Sequence, residues 1–193
     1  QLFTIFSLII SILSFSQKLA LDHSVYDQWE SIRETIWQPQ GQFICYTINP
    51  QEGDAVLIIK NIASKIDIII PRGAQPVFTE DGNYLIAKIK PSFNEIRKAK
   101  IDKKKPDEMP KDSLVIVTIA NGNITKIPSV KSFQVPEFGN GLIAYLKETK
   151  GDFNKEGAPL YFIDLNSGQE RVFNNISQYL IHPKGEGVMM YQV

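Results

Sequence analysis

Residues with reactive side chains are few and widely spaced in this sequence of 193 residues. Cys45 is the single cysteine, and the two histidines, His23 and His182, are separated by most of the chain. His23 lies between Asp22 and Ser24, but a Ser-His-Asp triad requires convergence in space rather than adjacency in sequence. We therefore expect no catalytic residue in this chain, and we interpret His23 as structural and His182 as a turn residue.

Sequence motifs of common enzyme sites are absent. The chain has no G-x-S-x-G, no H-E-x-x-H, no P-loop, no dinucleotide fingerprint and no Cys/His metal spacing. Cys45 belongs to an alternating strand pattern, which indicates a buried and inert thiol. The carboxylate pairs Glu80-Asp81 and Asp107-Glu108 fit turns or solvated loops. We therefore predict neither a cofactor nor a metal site.

The composition limits the class of partner. Lys plus Arg and Asp plus Glu each number 21, and 43% of the residues are hydrophobic. A zero net charge argues against a nucleic-acid binder, which normally has a basic excess. The hydrophobic content is enough for a core, and a single cysteine excludes an internal disulfide.

The first residues form an apolar run, "LFTIFSLIISILSF", at positions 2–15. A membrane-spanning helix needs about 20 apolar residues, so this run is too short for a stable span. It resembles the hydrophobic region of a secretory signal peptide, with small residues at Ser14 and Ser16 for cleavage. We interpret residues 1–17 as a signal peptide lacking its charged start, and we expect export to the periplasm or the extracellular space. The alternative is a buried apolar helix.

One turn pattern occurs four times. The stretches "QPQG", "TEDG", "PEFG" and "HPKG" end at Gly41, Gly82, Gly139 and Gly185, and a strand-like run follows each of them. A glycine at a fixed turn position is typical of a backbone with positive φ. Each copy therefore predicts a turn followed by a strand.

A second pattern has the same period. Residues 56–69, 114–127 and 160–173 align without gaps, and each reads as strand, polar turn and strand. Asn121-Gly122 and Ser167-Gly168 are strong hairpin signals. Ile62, Ile119 and Leu165 of this pattern are 57 and 46 residues apart, as are the last three glycines, which indicates a real structural repeat.

Four antiparallel strands per 40–50 residues are typical of a propeller blade. We predict an all-β partial propeller over residues 36–193, with about three four-stranded blades and the start of a fourth. "KSFQVP" (131–136) would be the fourth strand of a unit. Residues 18–35 would form an N-terminal arm, which the region of Trp29 and Trp37 packs onto the first blade. Because propellers need four or more blades, we expect the chain to be a fragment of a longer protein; the alternative is a β-sandwich.

The second unit contains a mixed-charge insertion at residues 91–112. We predict a short exposed helix within 93–105 that ends before Pro106. The insertion is either a loop that contacts a neighbouring domain or substrate, or a solvated excursion from a blade edge.

Several stretches together resemble the N-terminal region of secreted bacterial serine peptidases of the prolyl oligopeptidase family. They are "LDHSVYDQWESIRET", "INPQEGDAVLIIKNIASK", "IPRG", "FTEDGNYLIAKIKP" and "KKKPDEMPKDSLVIVTIANGNITKIPSVKSF", and the resemblance covers about residues 20–193. The glycine turns alone are also found in TolB-like propellers.

The resemblance implies a propeller that restricts access of peptides to a C-terminal α/β-hydrolase domain. That domain is not in this chain, so no catalytic residue can be assigned from the family, and the partners implied are that domain and a peptide substrate. No adjacent Glu-Glu pair of the dipeptidyl peptidase type is present, so exo- and endopeptidase activity both remain open. The alternative is a non-catalytic periplasmic TolB-like propeller that binds or scaffolds.

Overall fold

The glycine turns join antiparallel strands of stacked sheets. The computed structural model describes residues 29–64, 67–139, 141–149 and 153–193. Within them the first sheet has the order β1-β2-β3-β4, the second β5-β6-β7-β8 and the third β9-β10-β11-β12-β13. The strands are β1 (Glu30–Trp37), β2 (Phe43–Pro50), β3 (Val56–Asn61), β4 (Asp67–Pro71), β5 (Gly73–Phe78), β6 (Tyr84–Ile89), β7 (Ser113–Thr118), β8 (Asn123–Ile127), β9 (Val130–Gln134), β10 (Leu142–Lys147), β11 (Ala158–Asp164), β12 (Glu170–Ile181) and β13 (Val188–Gln192).

These sheets confirm the partial propeller. Strand β12 belongs to two blades, because its first half pairs with β11 and its second half pairs with β13. Asn175, with a φ of 63°, lies between the two halves. The β12–β13 hairpin is therefore the start of a fourth blade, and the described sheets do not close into a ring.

The boundaries of the repeat differ from the predicted ones. Each glycine turn lies between the first and second strands of one sheet, so the strand before the turn belongs to the blade that follows. The stretch "KSFQVP" therefore contains β9, which pairs with β10 and is not the fourth strand of the preceding unit. The first sheet likewise begins at Glu30, ahead of the predicted boundary at residue 36.

The third glycine turn has one more residue than the first two between its predicted glycine and the strand that follows. Gln42, Asn83 and Gly141 are equivalent, because their carbonyls accept hydrogen bonds from the backbone N–H groups of Ile62, Ile119 and Leu165, respectively. Gly41 and Gly82 have φ angles of 71° and 64°, as predicted. In the third copy Gly141, with a φ of 70°, has the left-handed conformation that we predicted for Gly139.

The chain enters each new blade through a residue with left-handed backbone. The N–H groups of Lys90, Glu148 and Val193, which follow the second strands, donate to the carbonyls of the crossover residues. These residues are Arg72, Ser129 and Asn175, with φ angles of 62°, 58° and 63°, and they keep the 57- and 46-residue offsets. We call the edge of the sheets that contains these crossovers the crossover face; the glycine turns lie on the opposite edge.

Apolar side chains fill the spaces between successive sheets. Adjacent residues of β6 point to opposite sides, so that Leu85 packs toward the first sheet and Ile86 toward the third, and both are fully buried. Strand β7 is buried at four consecutive positions, Leu114 to Val117. The second sheet is therefore covered on both faces, as expected for an inner blade and not for a two-layer sandwich.

The insertion forms one ordered helix. Helix α1 (Phe93–Ile101) begins with a capping box between Ser92 and Glu95, and it buries only Ala99. A 3₁₀ turn (Pro106–Glu108) follows it. The predicted short exposed helix is thus confirmed, although it ends at Ile101. A second helix, α2 (Phe153–Glu156), precedes β11.

The outer face of the first sheet is apolar and no described element covers it. Strands β1 and β4 present Ile32, Trp37 and Ile69 there, with 67%, 61% and 58% of their surface exposed. Trp29 is 54% exposed, and its carbonyl accepts from Gln51 N–H. Trp37 lies within β1 and is therefore part of the first blade itself. The packing of an N-terminal arm onto this blade stays a prediction, because residues 18–28 of that arm are not among the described residues.

The predicted signal peptide, residues 1–17, lies outside the described residues, as does the first part of the predicted arm. In the part of the chain that the structure describes, no helix is both long and apolar enough to span a bilayer.

Candidate functional site at the inner strands and glycine turns

The first strand of each sheet is the innermost. Strand β1 contacts β5 of the second sheet, and β9 of the third sheet contacts β7 of the second. In a propeller the innermost strands surround the central axis, where ligands and substrates pass. The surface formed by β1, β5, β9 and residues 176–181 of β12 is therefore the candidate functional site.

A β-bulge interrupts the pairing of every inner strand. In β1 the register shifts between Arg33 and Ile36, and in β5 between Ala74 and Val77. Corresponding shifts occur in β9 and in the second half of β12. Bulges bend a strand and redirect its side chains, and the bulge of β1 presents Glu34 toward the second blade.

Side-chain hydrogen bonds connect the inner strands of adjacent blades. Glu34 Oε2 accepts a hydrogen bond from the backbone N–H of Gln75 at 2.8 Å, and both residues occupy the bulges with left-handed backbone. Gln134 Oε1 accepts from Ile181 N–H at 2.9 Å, and its Nε2 donates to the carbonyl of Tyr179 at 3.3 Å. The bond from Gln75 satisfies a backbone group that the bulge of β5 removes from the regular ladder, whereas Tyr179 and Ile181 lie in the regularly paired part of β12.

The glycine turns connect the same blades at the other edge of the sheets. Gln38 Nε2 donates to the carbonyl of Gly82 at 2.8 Å, and this glutamine is only 6% exposed. A Cβ atom at Gly82 would overlap the side chains of Gln38 and Gln40, so a larger residue cannot be accommodated without moving both. Phe138 N–H donates to the carbonyl of Pro183 at 2.7 Å and connects the third turn to the fourth.

Asp81 organises the second turn and reaches the third sheet. Its carboxylate accepts from Thr79 Oγ1 at 2.5 Å and from the backbone and side chain of Asn83. Burial acts to raise the pKa of Asp81, but the hydrogen bonds from Thr79, Asn83 and Asn166 outweigh it and lower the pKa. The carboxylate is therefore held ionised as a structural acceptor, which matches the predicted turn role of Glu80-Asp81.

The other residues considered for chemistry are dispersed. Cys45 is fully buried, as predicted, and burial raises the pKa of its thiol to about 12, so the reactive thiolate is disfavoured. His182 begins the fourth turn, as predicted, and its Nδ1 accepts from Lys184 N–H at 3.3 Å. The pair Asp107-Glu108 is exposed in the 3₁₀ turn, and His23 lies outside the described residues.

Among the residues described, no group of three His, Cys, Asp or Glu side chains could hold a metal ion. The site consists of amide, hydroxyl and carboxylate groups that bond to backbone, and this chemistry suits positioning and binding of polar chains. Sequence patterns missed Glu34, Gln75 and Gln134 because an isolated polar residue in a strand has no motif. The one available signal was the 41-residue offset between Glu34 and Gln75, which matches the offset between the first two glycine turns.

Comparison with known proteins supports the fold. No protein-family model matches the sequence, and no curated protein matches it either. The β-propeller domain of the Trilobed protease from Pyrococcus furiosus, described as having an open velcro topology, aligns with 79% of this chain at a TM-score of 0.50 and 12% sequence identity. At this identity the match shows a propeller fold.

Two further solved structures align more weakly. Pyrococcus horikoshii acylaminoacyl peptidase aligns with 81% of this chain at a TM-score of 0.49 and 7% identity, and TolB from Acinetobacter baumannii with 83% at 0.45 and 10% identity. This chain spans 45% of the Trilobed protease propeller chain, 27% of the acylaminoacyl peptidase and 37% of TolB.

Proposed function

We propose that this chain is the propeller part of an exported serine peptidase and that it restricts the access of peptides to a separate catalytic domain. The observation that carries the proposal is the stack of blades with polar, bulged inner strands, which aligns with the propeller domain of a protease. The family resemblance of residues 20–193 adds independent support from the sequence.

The proposed mechanism is steric and polar selection. Neighbouring blades are joined by bonds such as Gln38 to Gly82 at the glycine turns and Gln75 to Glu34 at the bulges, which keep the inner strands at a fixed separation. A fixed opening admits short or unfolded peptides and excludes folded proteins. The Ser, Asp and His that cleave the peptide would belong to a C-terminal α/β-hydrolase domain.

The purified 193-residue chain tests where catalysis occurs. We expect no hydrolysis of fluorogenic peptides, because no nucleophile of this chain is assigned to the reaction. Turnover that co-purifies with the chain and is blocked by a serine-directed inhibitor would contradict the proposal. A chain carrying Gln134→Ala serves as the control for contaminating peptidases, since contaminant activity would not depend on this residue.

A TolB-like binding or scaffolding propeller is the second candidate, and the glycine-turn repeats favour it equally. The two candidates differ in what the gene encodes after the codon for Val193. A strand followed by G-x-S-x-G, and then by Asp and His, supports the peptidase. Further blades followed by a stop codon or another binding domain would instead support the scaffold.

A further inference from the structure

Four lysines gather on the crossover face, between the second and third sheets. Lys88 lies near the end of β6 and Lys90 directly follows that strand; Lys111 precedes β7, and Lys131 lies in the bulge of β9. These positions meet because the second strand of one blade ends beside the crossover into the next. We call these four residues the lysine cluster.

Direct contacts connect the members of the cluster. Lys88 Nζ donates to the carbonyl of Lys131 at 2.8 Å and lies 3.2 Å from Asp112 Oδ2. Lys90 Nζ lies 2.7 Å from the same carboxylate oxygen. Lys88 and Lys90 therefore share a single carboxylate, that of Asp112.

Lys111 and Lys131 likewise share one carboxylate, that of Glu148. Lys111 Nζ lies 3.6 Å from Glu148 Oε2 and donates to the carbonyl of Pro106 at 3.0 Å. Lys131 Nζ lies over the ring of Phe153. Burial lowers the pKa of Lys131, Glu148 acts to raise it, and the charge of Lys111 lowers it further.

Among the residues that the structure describes, the cluster thus has four ammonium groups and two carboxylates, Asp112 and Glu148. Several of its groups are partly shielded, with 12% of the Lys88 side chain exposed, 26% of Lys111, 19% of Asp112 and 25% of Glu148. Charges that are partly shielded from water interact more strongly with an incoming anion than fully exposed ones do.

We propose that the lysine cluster is a docking site for an acidic peptide segment, which lies across the second and third blades. Binding would bring the carboxylates that the four lysines lack. The proposal does not depend on a peptidase role, because it concerns binding at the crossover face and not cleavage.

An extended peptide fits this site better than a compact anion does. Asp112 and Glu148 stand between the ammonium groups, so they would repel a phosphate placed at the centre of the cluster. Carboxylates spaced along a chain can instead reach Lys90 on one side and Lys111 and Lys131 on the other. Phe153, which is partly buried under Lys131, adds an apolar side chain beside the charged positions.

The test uses the 193-residue chain, immobilised at low density so that copies do not associate, and a soluble alternating Glu-Gly dodecapeptide. We expect saturable binding at low ionic strength that disappears in about 0.5 M salt, where charge screening is strong. The double variant Lys90→Glu and Lys111→Glu should weaken binding about tenfold or more, because two attractive contacts become repulsive.

The matched control is Lys126→Glu with Lys184→Glu, which makes the same change in net charge away from the cluster. Both double variants are first checked for native circular dichroism. Lys131→Met keeps an apolar stem against Phe153 and should also weaken binding severalfold. This second variant keeps the proposal testable even if the double variant misfolds.

Three outcomes would overturn the proposal. The first is equal binding by wild type and by the Lys90/Lys111 variant. The second is an equal loss in the Lys126/Lys184 control, which would mean that only net charge matters. The third is displacement of the peptide by inorganic phosphate at a lower concentration than by unlabelled peptide, which would assign the cluster to a small anion.

Discussion

The exposed apolar face of the first sheet predicts how the chain behaves alone in solution. Residues 18–193 expressed alone should associate, since Ile32, Trp37 and Ile69 of this face are exposed and similar side chains are exposed on the β12–β13 hairpin. The perturbation is the triple variant Ile32→Lys, Trp37→Thr and Ile69→Glu. It leaves the net charge unchanged and uses polar residues at exposed strand positions.

The expected magnitude follows from the exposed fractions. Full burial of a large apolar side chain contributes about 1.5–3 kcal/mol, and these three are about three-fifths exposed, so covering them is worth about 3–5 kcal/mol. Removing that contribution should weaken association through this face by roughly a hundredfold to a few thousandfold. Assembly beyond a dimer requires two apolar faces on each chain. The variant keeps only the face with Leu180, Met189 and Tyr191, so it should form nothing larger than a dimer.

The assay is size-exclusion chromatography with light scattering over a range of protein concentrations. The control variant, Asn123→Lys with Thr125→Glu, changes exposed residues of β8 and should associate like the wild type. A wild-type fragment that is monomeric and melts cooperatively would refute the reasoning. So would a control variant that becomes as soluble as the triple variant.

Three further predictions can be measured in the triple-variant background. Leu85→Ala and Ile86→Ala should each lower the free energy of unfolding in urea by about 2–5 kcal/mol, because both faces of β6 are buried. The control Ile124→Ala, at a 44% exposed position, should lower it by less than about 1 kcal/mol. A small effect at either β6 position would contradict two-sided packing. Cys45 should react with a thiol reagent at pH 8 only after denaturation, since its pKa is about 12 in the fold, and rapid labelling of the native chain would show that the first two sheets separate. Asp81→Asn should destabilise the chain at neutral pH, and this effect should shrink as pH falls below about 4. A lowered folded-state pKa stabilises the fold above the unfolded value, and that contribution is lost on protonation. A difference of the same size at every pH would indicate a steric cause.

The sequence predicted what depends on local chemistry. The strand–turn–strand units with Asn121-Gly122 and Ser167-Gly168 form the expected hairpins, and both glycines have positive φ. The alternation around Cys45 correctly placed it in the core. These features follow from residue type and short spacing, which are fully visible in the sequence.

Features that depend on tertiary context could not be predicted in the same way. Arg72, Ser129 and Asn175 adopt left-handed backbone although none is glycine, because the crossover geometry and the hydrogen bond to each carbonyl determine it. The residues of β9 are compatible with either neighbouring blade. Only its pairing with β10 places it in the third sheet. The inter-blade bonds of Glu34 and Gln134 likewise join residues on separate strands, so no local pattern contains them.

The position of helix α1 has a consequence for how the blades assemble. The connection that contains it, residues 90–112, separates the two central strands of the second sheet. It is nearly five times as long as the 51–55 connection of the first sheet, which adds about 1.4 kcal/mol of loop-closure entropy. The helix is tethered to the first blade, since Phe93 N–H donates to Asp54 and Arg97 pairs with Glu52. The first blade therefore provides an anchor that shortens the freely moving part of the loop, so the second sheet should pair its central strands fastest when the first sheet is already formed beside it.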